Sequence, residues 1–315
     1  MVHSVGSTSM LTAVLGLTGA LIFGSADFLG GLAAKRMSSL LVTAVAAASG
    51  LVALLTALPF VAGVWSQSAV LWGALSGISG AIAISLLYAC LAIGPMSILS
   101  PLTAVVSAVV PMTVGISGGD RLAPIGYWAL GLALVAVVLV GFVPERGAVR
   151  PSLLGVLMAV GSGTMIGAFM VMIDLTPEDS GLVPLVMNRA VNAAIMFSVV
   201  GLLALVALRR RRVLVAAGPV TSSFDSATDA APATRSTLAI GLRLAVACGV
   251  IDVVANVLLL LGMRAGDLSV MSVLTAMYPA GTILLAAVVL RERIAPVQWL
   301  GLALALAAAG MLALD

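Results

Sequence analysis

Ten apolar segments, each long enough to cross a lipid bilayer, constrain this chain more than any other feature. A spanning helix needs about 20 predominantly apolar residues, because each residue adds about 1.5 Å of rise across a hydrocarbon core about 30 Å thick. The segments lack the alternating pattern of membrane strands, so the sequence predicts an all-α integral membrane protein. The predicted transmembrane helices are 9–33, 39–63, 69–93, 96–118, 123–144, 152–173, 182–208, 238–262, 268–290 and 295–314.

Composition and cysteine usage argue against several classes of protein. Hydrophobic residues make up 62% of the chain and charged residues 9%, whereas soluble domains carry about 25% charged residues. The first apolar run follows no basic residue and is long enough to span, so we expect a retained helix rather than a secretory signal. One histidine and two cysteines offer no metal-ligand spacing and no disulfide framework. We therefore expect no metal, no cofactor and no enzymatic activity.

The connection after the seventh span differs from the other connections. Residues 209–237 begin with four arginines and continue with small and polar residues, which predicts a disordered linker. Arginines at the end of a membrane helix are typical of a topology anchor rather than of nucleic-acid binding. Loops after odd-numbered spans hold eleven Lys and Arg residues and loops after even-numbered spans hold two, which predicts cytoplasmic odd loops and both termini outside.

Two distant segments of the chain resemble each other. A shift of 172 residues aligns GPMSILSPLTAVVSA, from Gly94, with GDLSVMSVLTAMYPA, from Gly266. The same shift aligns DRLAP at Asp120 with ERIAP at Glu292, and ten positions are identical across both stretches. The shared acidic-Arg-aliphatic-Ala-Pro loop is more specific than matches between apolar residues. The similarity therefore indicates an internal duplication.

A second, weaker match extends the duplication to the start of each half. A shift of 137 residues sets GSADFLGG at Gly24 against GSGTMIGA at Gly161. The halves 9–144 and 152–314 then contain five predicted spans each. Because five is odd, the halves cross the membrane in opposite orientations. Two inverted five-helix repeats are common in secondary transporters, whose binding site lies near the midplane.

The sequence resembles the EamA-type ten-helix permeases of the drug/metabolite transporter superfamily over essentially its whole length. The segments that carry the resemblance are YACLAIGPMSILSPLTA from Tyr88, LLLLGMRAGDLSVMSVLTAMYP ending at Pro279, and the C-terminal LRERIAPVQWLGLALALAAAGMLAL. The resemblance implies a multi-pass carrier in the plasma or inner membrane, commonly an exporter of amino acids, related metabolites or drugs, coupled to an ion gradient. Uptake of a sugar or another metabolite, and a non-transporting sensor or scaffold, remain open. Members are usually drawn with both termini in the cytoplasm, opposite to the charge count.

Charged side chains inside the predicted spans are the first candidates for a transport site. A carboxylate in the membrane is paired or protonated, and an arginine there keeps its proton. We predict that Arg189 pairs with Asp27 or Asp252, with Asp252 as the proton-exchanging site and Asp27 as the more permanent partner. The open alternatives are a carboxylate-bearing substrate on Arg189, a purely structural Asp252, and an Asp27 that is satisfied by Lys35 or Arg36.

Amides and hydroxyls at helical spacing extend this candidate pathway. Asn188 and Asn192 lie one turn apart in the seventh span. Asp252 and Asn256 lie one turn apart in the eighth span, on a face of small residues that we expect to point inward. The fourth and ninth spans add repeat-related hydroxyls and an aromatic wall, namely Ser97, Ser100, Thr103, Ser269, Ser272, Thr275 and Tyr278. Such hydroxyls either line a pathway or bond back to their own helix. The expected partners are a small-molecule substrate, a proton or other coupling ion, and the lipid bilayer.

Overall fold

The computed structural model describes residues 2–93, 96–141, 152–216, 235–291 and 294–314, and all regular structure in these ranges is helical. Ten stretches are long and apolar enough to cross a membrane, with α9 and α10 together forming the ninth, which confirms the predicted ten-helix membrane fold. The helices are α1 Val2–Ala34, α2 Ser39–Ala57, α3 Gln67–Ile93, α4 Met96–Gly118, α5 Pro124–Gly141, α6 Leu153–Asp174, α7 Val183–Ala216, α8 Arg235–Ala265, α9 Leu268–Thr275, α10 Tyr278–Val289 and α11 Pro296–Ala313.

The seventh and eighth spans extend into the segment that the sequence predicted as a linker. α7 continues through the four arginines to Ala216, and α8 begins at Arg235. Arginine favours a helix, and the first helix-breaking residues after the arginines are Gly218 and Pro219. The predicted linker boundaries of 209 and 237 are therefore wrong at both ends, and residues 217–234 lie outside the described part of the chain.

The ninth span is broken rather than continuous, in contrast to the single helix predicted for 268–290. α9 ends at Thr275 and α10 begins at Tyr278. Pro279 explains the break, because its ring removes an amide donor and would collide with the carbonyl one turn earlier. The amide of Met277 instead donates to the carbonyl of Leu274 at 3.1 Å, which tightens the end of α9. The helix of the ninth span is therefore interrupted at Ala276 and Met277.

The two groups of five spans are interlaced. The main neighbours of α1 are α8, α9 and α10, while α6 packs against α3 and α4. α2 packs against α7 and α8, α3 against α7, α4 against α9, and α5 against α11. Each of these contacts has a counterpart in which both spans are replaced by the spans five positions away. For example, the contact of α1 with α8 corresponds to the contact of α6 with α3. Most of the packing of each half is therefore provided by the other half.

Small residues allow the closest of these approaches. A methyl group on Gly24 of α1 would overlap the backbone of Tyr278, Gly281 and Thr282 in α10. The hydroxyl of Thr282 donates to the carbonyl of Gly24 at 3.1 Å, which ties the two helices at this crossing. This close crossing holds α1 against the broken span.

Candidate functional site

A polar cavity of about 160 Å³ lies where α1, α3, α6, α7 and α8 meet. All of its strongly polar lining residues were predicted from the sequence, and they are Asn188, Arg189, Asn192, Asp252 and Asn256. The rest of the lining is apolar or small, and consists of Phe23, Gly80, Ala83, Ile84, Ile166 and Phe169. A cavity that combines charge, amides and aromatic rings within apolar helices is typical of a small-molecule site.

An ion pair between Arg189 and Asp252 crosses this cavity. The guanidinium Nη2 of Arg189 donates to Oδ2 of Asp252, and the two side chains are 15% and 24% exposed. The amide of Asn256 donates to the same carboxylate oxygen at 3.2 Å and to the Asp252 carbonyl at 2.8 Å. The pair joins α7 to α8, and Asn256 orients the carboxylate from one turn away.

The folded α8 turns the predicted face toward this cavity. Ala245 and Ala255 are fully buried, whereas Val246, Val250 and Val254 on the opposite side are more than 40% exposed. Small residues therefore bring the neighbouring helices close, and the valines face outward. The predicted inward direction of the small and polar face is confirmed.

The two asparagines of α7 have different surroundings. Asn188 donates from Nδ2 to the hydroxyl of Ser76 at 2.9 Å, and that hydroxyl donates to the carbonyl of Gly73 at 2.7 Å. Asn192 is only 5% exposed, and its carbonyl Oδ1 has no hydrogen-bond partner among the described residues. The first amide is thus part of the scaffold, and the second presents an unused acceptor.

Helix α3 forms a wall of the site that sequence reasoning missed. Gly73 and Gly77 lie against the backbone of Pro184 and Asn188 in α7, and Ser76 between them holds the Asn188 amide. The signal was present in the sequence, because the small residues of GALSGISG recur at helical spacing. These contacts fix the position of α7 along the axis of α3, and therefore the position of Arg189 in the cavity.

Asp27 lies outside this lining, although it is close enough to Asp252 for their charges to interact. Its side chain is exposed, and the only ion pair among the described residues joins Arg189 to Asp252. Arg36 donates to the carbonyl of Leu32 at 2.9 Å instead of pairing with Asp27. In this structure Asp252 is therefore the partner of Arg189, in place of the Asp27 pairing that we predicted as the more permanent one.

Two hydroxyls of the predicted set, Thr103 in α4 and Ser272 in α9, are buried and bonded to backbone. Thr103 donates to the carbonyls of Leu99 at 3.0 Å and Ala159 at 3.2 Å. Ser272 donates to the carbonyl of Ser269 at 2.9 Å, one turn back in its own helix. The bonds to Leu99 and Ser269 are those of the self-bonding alternative, whereas the bond to Ala159 joins α4 to α6. Neither residue lines the polar cavity. A role for them in the pathway stays a prediction.

Ser269, also buried, donates from its hydroxyl to the carbonyl of Met112 at 3.1 Å and to Asp120 at 2.7 Å. The other four members of the hydroxyl set lie in two places. Thr275 and Tyr278 are half-buried on either side of the break in the ninth span. Ser97 and Ser100 belong to α4, but their side chains lie outside the described part of the chain.

The comparisons with known proteins agree with the fold. The profile of the EamA-like transporter family matches residues 153–314. The chain belongs to the EamA-like transporter family. Its members are transporters rather than enzymes, and together with the ten spans this identifies a multi-pass membrane protein that transports small molecules. None of the curated proteins compared with the chain matches it.

A solved structure, titled "Crystal structure of protein", shares the fold of this EamA-like chain. The TM-score is 0.63 at 16% sequence identity, and the match covers 95% of this chain and 97% of that one. At this identity the likeness concerns architecture alone. It extends over the first five spans, which the family profile does not reach.

Two polar contacts stabilise the EamA-like bundle at the end that carries the loops after even-numbered spans, and neither pairing was predicted from the sequence. Asp120 accepts from the backbone amide and the hydroxyl of Ser269, at 3.0 and 2.7 Å. Arg264, at the end of α8, donates to the hydroxyl of Ser180 at 3.0 Å and to the carbonyl of Gly181 at 3.2 Å. The second contact holds the segment that leads into α7, and thereby the start of the helix that carries Arg189.

Proposed function

We propose that this chain is a proton-coupled secondary transporter, an exporter of amino acids, related metabolites or drugs in the plasma or inner membrane. The observation that carries the proposal is the Arg189–Asp252 ion pair in a polar cavity among membrane-spanning helices. A buried charge pair is poor evidence of stability alone, because desolvation offsets much of the attraction. Ionisable groups inside membrane proteins commonly mark substrate or proton pathways.

The halves 9–144 and 152–314 are inverted repeats in this proposal. The sequence match between them and the exchangeable set of helix neighbours support the assignment. Arg189 and Asp252 lie in the second half, whereas Phe23 and Gly80 belong to the first. Rocking one half against the other would then open the cavity alternately to the two sides of the membrane.

Proton coupling follows from the number of charges near the cavity. Two acids, Asp27 and Asp252, share one permanently charged base, Arg189, so one carboxylate lacks a cationic partner at any moment. If Arg189 moves from Asp252 to Asp27 as the halves rock, Asp252 takes up a proton and Asp27 releases one. This exchange would link proton movement to substrate movement.

Reconstitution of the purified chain in liposomes tests the proposal. A panel of amino acids, related metabolites and drugs is supplied on one side, and a pH-sensitive dye reports protons inside. We expect at least one compound to move against its gradient when a proton gradient is imposed. Asp252→Asn should abolish this uphill movement, while Asp179→Asn, a carboxylate change in the connection before α7, should preserve it. Equal uphill flux in both variants would remove Asp252 from the coupling mechanism.

A further inference from the structure

The side-chain carbonyl of Asn192 is a buried acceptor without a donor among the described residues. Among the described residues Asn188, Asn256, Arg189 and Asp252 all have hydrogen-bond partners, whereas Oδ1 of Asn192 has none. Asn192 is 5% exposed and lines the cavity. A buried acceptor without a donor is costly in the folded state, and a ligand that supplies the donor removes that cost.

Gly80 of α3 leaves space beside the same amide. A methyl group built on Gly80 would lie 3.3 Å from Nδ2 of Asn192, tighter than most real contacts. Both residues line the cavity. A larger residue in place of Gly80 would therefore narrow the approach to the Asn192 amide.

The charge of the lining limits the charge of its ligand. Within the described lining, Arg189 is the only base and Asp252 the only acid, and they are paired with each other. A ligand with net charge would enter a charge-balanced, partly buried site and lose hydration without gaining a countercharge. A zwitterion or an uncharged molecule avoids this cost, because it adds no net charge.

The volume and the apolar wall limit size and shape. The cavity measures about 160 Å³, and an engineered cavity of about 150 Å³ holds benzene. Phe23 and Phe169 supply aromatic surface, and Ile84 and Ile166 supply aliphatic surface. The space suits a compact molecule of roughly eight non-hydrogen atoms with one apolar side.

We infer that Asn192 is the specificity-determining residue of this cavity, and that it selects a compact ligand of zero net charge that donates an N–H or O–H to its side-chain carbonyl. This inference rests on the proposed function, since it treats the cavity as the substrate site of a transporter. To the proposed function it adds the net charge of the substrate, its hydrogen-bond donor and the residue that recognises this donor.

Four probes of about eight non-hydrogen atoms separate these properties. L-valine has zero net charge and N–H donors, and its isomer glycine betaine has zero net charge and no N–H or O–H donor. Valinamide is cationic, and 3-methyl-2-oxobutanoate is anionic. Binding to the purified full chain in lipid nanodiscs is measured by isothermal titration calorimetry without any ion gradient. We expect L-valine to bind roughly tenfold or more tightly than glycine betaine, the difference that one hydrogen bond can supply. L-valine should also bind more tightly than valinamide and the oxo acid, because the lining offers no countercharge for a net charge.

Two variants assign the selection to Asn192. Asn192→Leu should weaken L-valine binding roughly tenfold and leave glycine betaine unchanged, which removes the discrimination between the isomers. Asn192→Asp keeps the size of the side chain and adds a negative charge, so it should shift the preference from L-valine toward valinamide. A thermal unfolding midpoint close to that of the parent shows that each variant is folded. If Asn192→Leu does not fold, Asn192→Asp still tests the charge and the position.

The inference is overturned if glycine betaine, valinamide or the oxo acid binds as well as L-valine, if no probe binds, or if the preference survives both substitutions. Its failure is distinct from failure of the proposed function. Proton-driven flux with no effect at Asn192 would leave the transporter assignment standing. Selective binding that depends on Asn192, without proton-driven flux in liposomes, would leave a ligand site and reject proton-coupled transport.

Discussion

Asp120 caps helix α9 from the other half of the chain. Its carboxylate accepts hydrogen bonds from the backbone amide of Ser269 at 3.0 Å and from the Ser269 hydroxyl at 2.7 Å. Ser269 lies in the first turn of α9, where amides have no partner within the helix and negative charge is favourable. The contact spans 149 positions of sequence. It therefore fixes the start of the broken span relative to the connection between α4 and α5.

We expect Asp120→Ala to lower the free energy of unfolding by about 1–3 kcal/mol, because it leaves a first-turn amide unsatisfied. Thermal unfolding in detergent measures the loss. Ser269→Ala removes the hydroxyl bonds to Asp120 and to the carbonyl of Met112 but keeps the amide bond to Asp120, and it should cost less. The double variant should be less destabilised than the sum of the two single variants, since both remove the same contact. Additive losses would show that the two residues act independently.

Gly24→Ala should destabilise the bundle, because the added methyl group overlaps the backbone of Tyr278, Gly281 and Thr282. Overpacking of this kind costs about 1–3 kcal/mol, and a backbone neighbour gives way less readily than a side chain. Gly31→Ala, in the same helix, is the matched control, since nothing lies within 4 Å of a methyl group there. A gain in helix propensity should make this control neutral or slightly stabilising. Equal unfolding midpoints for the two variants would contradict the close crossing of α1 and α10.

Substitutions of Asp27 and Asp252 should differ in their effect on the free energy of unfolding. Asp252→Asn leaves Arg189 without a carboxylate, and we expect a loss of about 1–3 kcal/mol, less than for a fully buried pair because both side chains are partly exposed. Asp27→Asn should change stability little, because Asp27 is exposed and forms no ion pair among the described residues. Thermal unfolding of both variants, with Arg189→Met as a third, tests the order. A larger loss for Asp27→Asn would favour the original expectation that Asp27 is the more permanent partner.

The orientation of the chain can be decided by reporter fusions at Asp315. The eleven-to-two distribution of Lys and Arg predicts an external C-terminus. In a bacterial host, an alkaline phosphatase fusion at Asp315 should then be active, because an external C-terminus reaches the periplasm. A fluorescent protein fusion at the same position should be dark. A second pair of fusions within residues 217–234 should give the opposite readout. A fluorescent fusion at Asp315 with inactive phosphatase would place both termini in the cytoplasm.

The spans and the polar lining of the cavity could be predicted because both depend on local sequence. Apolar length defines a membrane helix, and a charged or amide side chain within it stands out, as Arg189 and Asn192 do. Which groups pair could not be predicted, since both Asp27 and Asp252 were available to Arg189. The choice depends on where α1 and α8 lie in the bundle, and apolar periodicity does not predict the positions of helices relative to one another.

The breaks and caps were harder to predict for the same reason. Pro279 was visible in the sequence, but α4 contains Pro101 and Pro111 and remains one helix. The difference lies in the surroundings of each proline. Likewise, Ser76 and Asp120 are ordinary polar residues until the fold sets them beside Asn188 and Ser269. Contacts between distant parts of the chain are properties of the tertiary structure.

The interlaced packing has a consequence for the order of events during synthesis. α1 and α2 enter the membrane long before α8, which becomes a main neighbour of both. Until then the small face of α1 meets lipid, which cannot reproduce the backbone contact made at Gly24. The helices of the first half therefore lack most of their packing partners until the second half has inserted, and the packing of both halves forms together. A chain whose synthesis stops before α8 would lack the main neighbour that α1 and α2 share.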